Sequence, residues 1–153
     1  MEDTDWQMQR IVNGIPEGAD DLTPNRALML EAGLHQLNAV DFKKGCYIGQ
    51  EVTARTHYRG LVKRRLFPIS THKTALTHGS DILLMDRIIG KLGSVAHKND
   101  EAVGLASLRL DAVQKSYDNQ RRNGSPILSL EDGTPLFLNI PSWMYPLPGF
   151  DTA

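Results

Sequence analysis

The sequence has a single cysteine, Cys46, in 153 residues. One thiol cannot form an internal disulfide, which excludes a disulfide-stapled scaffold and fits a reducing compartment. His35, His57, His72, His78 and His97 are scattered without ligand spacing, so no metal site built inside this chain is expected. There is no surplus of one charge: 17 Lys and Arg stand against 18 Asp and Glu, a net −1 that gives no global pull toward nucleic acid or membrane. No apolar run reaches membrane-spanning length, and the longest, around Asp81–Ile89, is broken by Asp86 and Arg87. The first residues, Met-Glu-Asp-Thr-Asp, carry neither a signal-peptide nor a basic transit pattern. Glycine-rich dinucleotide and phosphate loops are absent, as is the Gly-x-Ser-x-Gly nucleophile motif.

What is present is a chain long enough for one domain or two small ones, with ordinary globular composition. Its charge is segregated. Residues 1–40 hold seven acids and two bases, whereas residues 41–65 hold two acids and seven bases. The basic stretch suits an anionic ligand or partner; equally, it can be a solvated surface matched to the acidic start.

The pattern predicts a helix over 4–13, with Trp6, Ile11 and Val12 apolar, and a second helix over 25–37 from the stripe Leu28, Leu30, Leu34 and Leu37. A third is expected from Cys46 to about His57, with Gly49 inside it suggesting close approach by a neighbour or ligand. After Gly60 the character changes. Short apolar runs at 61–70, 81–85, 87–97, 101–109 and 126–138, punctuated by glycine, predict an antiparallel sheet or small barrel. Turns are expected at Arg121–Gly124 and Glu131–Thr134, and an irregular tail over 141–153. Asp20 and Asp21 read as solvated or capping.

Lys43–Glu51 concentrates unusual features. Two lysines precede a glycine turn, and a cysteine follows at an expected helix start, where free N–H groups and the helix dipole favour a thiolate. Cys46 is then a nucleophile, a redox thiol or a ligand; the alternative is a small buried hydrophobe. Trp6 and Arg10, four apart, can make an aromatic wall and guanidinium clamp for a planar anion, or can be core and surface residues.

Lys44-Gly45-Cys46-Tyr47-Ile48-Gly49-Gln50-Glu51, with Arg55, Arg59-Gly60 and Lys63-Arg64 following, resembles the signature of the YgfZ family. Arg10–Pro16, Leu30-Glu31-Ala32, Leu37–Phe42 and Gly104–Arg109 resemble further segments of that family, so the likeness covers roughly residues 6–140. Family members are folate-binding proteins of iron–sulfur cluster assembly and repair, related to the glycine-cleavage T-protein. The resemblance implies an α+β fold: a partial T-protein-like folate-binding domain over 1–60, then a small antiparallel β-barrel over 61–140. It implies tetrahydrofolate as cofactor, contacted by Trp6, Arg10 and, more weakly, Glu31, and Cys46 as the functional thiol. Lys44, Gly45, Tyr47, Gly49, Gln50, Glu51 and Arg55 complete the signature. Implied partners are folate and iron–sulfur assembly or client proteins, without membrane or direct nucleic-acid binding. The implied location is bacterial cytoplasm, or the mitochondrial matrix in a eukaryote. A cluster needs several thiolates, so Cys46 can hold one only together with another protein. Family members are longer and have a preceding half. This chain therefore resembles their C-terminal portion, with an incomplete folate pocket and apolar surface on 1–60 that such a half would cover. Alternative functions are aminomethyltransferase-like one-carbon transfer and non-enzymatic docking through residues 43–65.

Overall fold

The β-rich runs after Gly60 form six antiparallel strands: β1 (Arg64–Thr71), β2 (Asp81–Leu84), β3 (Arg87–Lys98), β4 (Glu101–Arg109), β5 (Leu128–Ser129) and β6 (Pro135–Leu138). The computed structural model describes residues 3–72 and 76–147. In the order β1-β4-β3-β2-β5-β6 the strands close into a barrel, with β6 returning to β1 through Ile69↔Leu138 and Ser70↔Phe137. Closure removes the sheet edges that could otherwise recruit another strand. The expected α+β class and small antiparallel barrel are thus what the chain adopts.

Phe67, Ile69, Ile82, Leu92, Leu108 and Leu136 belong to the main core, each essentially inaccessible to solvent. A helix that the sequence reading does not anticipate, here α4 (Leu110–Asn123), follows β4 and buries Leu110 and Val113 in that core. Leu110, Val113 and Tyr117 recur at helical spacing, which is the signal that could have found it. The turn expected at Arg121–Gly124 is the end of this helix, with Gly124 as its left-handed cap at φ 67°.

A second cluster lies on the barrel's other face. Ile11 of α1 (Asp3–Val12), the expected first helix, is fully buried with Leu66, Ala96, Val103 and Leu105. Covering on both faces explains why β4 is buried at five consecutive positions, 102–106. The hydrophobic residues buried among the first 60, namely Ile11, Leu30 and Ala32, all belong to clusters built mainly of barrel residues. The expected boundary at residue 60 therefore does not divide one core from another.

Two expected helices are corrected. Residues 25–37 form successive turns, because Asn25, Gly33 and Asn38 sit at φ 59°, 75° and 59°, a conformation that no right-handed helix passes through. The third helix, α3 (Gln50–Tyr58), begins four residues later than expected, after Gly49 at φ 89°. The tail is irregular but packed in its described part. Met144 and Leu147 join the main core, and Trp143 Nε1 donates to the Asn13 carbonyl at 2.8 Å. Residues 148–153 lie outside the described residues.

One feature of β3 organises the acidic start of the chain. Its register shifts between Leu92 and Val95, a bulge at Gly93-Ser94 that re-aims the Ser94 amide and hydroxyl. Both donate to Asp21 at 2.8 Å. Asp21 ends the short α2 (Gly18–Asp21), and its side chain is 0% exposed. It is not solvated as its sequence neighbourhood suggests, although it does accept the amide of Glu17, the residue that precedes α2, at 2.9 Å.

Candidate functional site

The signature segment projects from the barrel. The Lys43 amide donates to Asp41 Oδ1 at 2.8 Å, which starts the turn. The Lys44 ammonium lies 4.9 Å from the Tyr47 ring centroid. The Gln50 amide donates to the Tyr47 carbonyl at 3.2 Å, and the Gln50 side-chain oxygen accepts the Tyr47 amide at 3.3 Å, closing a loop around Ile48 and Gly49. Glu51 and Arg55 pair one helical turn apart. Cys46 is exposed, Ile48 and Val52 are exposed, and α3 buries no residue.

Two readings of this segment change. Cys46 lies four residues before the first residue of α3, not at the helix start. Lys43 and Lys44, three and two residues before it, are exposed as well. A Cβ on Gly49 would meet nothing within 4 Å, so that glycine serves its positive φ and not a close neighbour.

The projecting segment is anchored at its base. His57 stacks on Phe42 at 4.3 Å and meets His35 edge-on at 5.2 Å. Beneath them Arg65, 4% exposed, donates to Gln36 Oε1 and to His35 Nε2 (3.2 Å). Both partners are neutral, and burial pulls the guanidinium down to about 10. Arg65 Nε and His35 Nδ1 have no partner among the described residues. Sequence reading missed this cluster because its members are spread over 30 residues and only the fold joins them.

Burial first, then Arg65 and His57, pull His35 down from 6.5 to about 4. The folded state thus resists a proton that the unfolded chain accepts. Stability contributed by neutral His35 is complete above pH 6.5 and lost as pH falls toward about 4. Glu31 acts oppositely: burial raises its pKa despite Arg64, so its contribution to stability grows as pH falls toward its ordinary 4.5 and is complete below it. With a discount for partial exposure, we expect about 1 kcal/mol lost between about pH 7 and 5. Urea unfolding at both pH values checks this, and His35→Leu should flatten the slope.

The residues expected to hold folate do not converge. Trp6 is half exposed on α1. Arg10, its side chain 3% exposed, donates to Asp21 (2.8 Å), the Ile15 carbonyl (2.7 Å) and Gln7 (2.7 and 3.1 Å). Its guanidinium is engaged inside the chain, while it also lines a depression with Gln7, Glu17 and His78. Glu31 lines a separate depression with Arg26, Leu28 and Leu66. Among the described residues no three of His, Cys, Asp and Glu gather as a metal-binding group.

A family model for the CAF17 C-terminal beta-barrel domain matches residues 63–146, which is the barrel with α4 and the 3-10 turn (Ser142–Met144). The chain belongs to this family. Members of the wider set of relatives share more than the barrel. The chain is 34% identical over 144 residues to the mitochondrial iron-sulfur cluster assembly factor IBA57 of Homo sapiens, covering 91% of this chain and 37% of that protein. It is 39% identical over 112 residues to the Mus musculus protein of the same name, covering 72% of this chain and 31% of that one. To the IBA57 homolog of Mycosarcoma maydis it is 32% identical over 177 residues, covering 91% and 44%. The chain therefore spans less than half the length of these relatives. The CAF17 barrel accounts for the fold, while the signature segment lies before the matched residues.

Proposed function

We propose that this chain belongs to an iron–sulfur cluster assembly or repair factor of the YgfZ type, with Cys46 as its functional thiol. The observation that carries this reading is the exposure of Cys46 on a segment that projects from a CAF17 barrel and buries none of its own helix. A thiol so placed can reach a sulfur or iron atom held by another protein. Relatives named as iron-sulfur cluster assembly factors support the process. The cluster is cargo here: one thiolate is too few to hold it, so the remaining ligands come from a partner assembly or client protein. The working location is the mitochondrial matrix if the source is a eukaryote, and the cytoplasm if it is bacterial.

Tetrahydrofolate is the second part of the proposal, and this chain alone fits it poorly. Trp6 is available for stacking, Arg10 is engaged, and Glu31 lines another depression. We expect tetrahydrofolate to bind a longer form, with residues supplied upstream, and to bind this chain weakly or not at all by calorimetric titration. Equal affinity in both forms would defeat the incomplete-pocket reading.

The decisive test is complementation. In cells lacking the protein, a longer form bearing Cys46→Ala should fail to restore the activity of an iron–sulfur enzyme while accumulating normally. Full restoration removes the thiol role.

A further inference from the structure

A second surface, lined by no residue of Lys43–Glu51, lies between the β2–β3 hairpin and the start of α4. Met85 and Ile88 line a groove there with Leu84, and are 77% and 59% exposed. The hairpin turn is Met85-Asp86, with both residues at positive φ, 49° and 63°. Such turns favour asparagine, aspartate and glycine, because a side chain crowds the backbone in that conformation. A methionine there bears the cost of that conformation and buries little of itself in the fold.

The groove is also basic. Arg87 and Lys115 line it, and Lys63 and Arg64 line an adjoining depression that shares Arg109 and Asp111 with it. Asp111, the acid common to both, is bound by Arg109 at 2.7 Å. Among the described residues no ion pair holds Lys63, Arg87 or Lys115, and all three are exposed. Asp86, at the hairpin tip, lines neither depression.

We propose that this groove docks an acidic amphipathic segment of a partner protein. Carboxylates on the segment meet Lys63, Arg87 and Lys115, while its apolar side chains rest on Met85 and Ile88. Charge complementarity selects the occupant, and an exposed methionine supplies adaptable apolar contact. Nucleic acid fits less well, since no aromatic ring lines the groove for base stacking. Cys46 lines neither depression, and the proposal stands whether or not the thiol role does.

The test is fluorescence anisotropy on the full chain. The probes are a short labelled peptide with Glu and Leu at helical spacing, its Gln-for-Glu counterpart, a single-stranded oligonucleotide and phosphatidylserine vesicles. The acidic peptide should bind, and Arg87→Glu/Lys115→Glu should weaken it at least about tenfold. Met85→Ser/Ile88→Ser should weaken it about fivefold without changing its salt dependence. Cys46→Ala should leave it unchanged. The proposal is overturned if the acidic peptide does not bind, if the Gln peptide binds as tightly, or if the charge reversals have no effect while circular dichroism shows an intact fold. Tighter binding of oligonucleotide or vesicles than of the peptide overturns it as well.

Discussion

Asp21→Ala should destabilise the chain by about 3–5 kcal/mol, the range for removing one partner of a buried ion pair. The carboxylate is inaccessible and accepts from four groups on three pieces of structure: Arg10 of α1, the Glu17 amide before α2, and the Ser94 amide and hydroxyl of the β3 bulge. Removing it leaves the Arg10 guanidinium, 3% exposed, with Gln7 and the Ile15 carbonyl as part-buried neutral partners and only the half-exposed Glu17 carboxylate for charge. It also leaves the Ser94 amide and hydroxyl without their acceptor. Replacing both charges, as Arg10→Met with Asp21→Leu, should cost less than Asp21→Ala, because no buried charge remains. Chemical denaturation of the three variants measures this. A loss below about 1 kcal/mol for Asp21→Ala, the level of a surface pair, would show that the network is not structural.

The second large effect is expected at Gly93. A Cβ there would lie 2.6 Å from Asp21 Oδ1 and 3.0 Å from the Asp20 and Leu105 carbonyl oxygens. Two of these three atoms are backbone, so relief requires moving α2 or β4. Gly93→Ala should therefore cost about 3 kcal/mol, at the upper end for overpacking. Because Asp21 is one of the crowded groups, the double variant Gly93→Ala/Asp21→Ala should fall short of the sum by about 1 kcal/mol. Strict additivity would mean that α2 does not press on the bulge. Gly45→Ala is the matching control: its Cβ meets open space, and the change should stay within about 0.5 kcal/mol.

These two residues mark where the sequence stopped being informative. Asp20-Asp21 is an acidic pair in a turn, and pairs of that kind are mostly solvated. What buries Asp21 is a bulge 73 residues later, and no local pattern announces that meeting. The same holds for Arg10: spacing places it four residues from Trp6, and only the fold shows that its guanidinium pairs with Asp21. The error at residues 25–37 was different in kind. The leucine stripe was real, yet Asn25, Gly33 and Asn38 take positive φ and convert the helix into turns. The stripe of α4, by contrast, is local and legible, since Leu110, Val113 and Tyr117 recur at helical spacing.

By itself the sequence determined the barrel and the signature. Alternating apolar runs with glycine between them can bury themselves only as short paired strands, and the eight residues from Lys44 to Glu51 carried their family likeness in plain order. Tertiary structure alone decided which charges are available for chemistry. It took Arg10 and Asp21 out of solvent, buried Arg65 against neutral partners, and left Cys46, Lys43 and Lys44 exposed on a projecting arm. The physical reason is that strand formation follows from local pattern, whereas the burial and pairing of a charge depend on contacts between residues far apart in the chain.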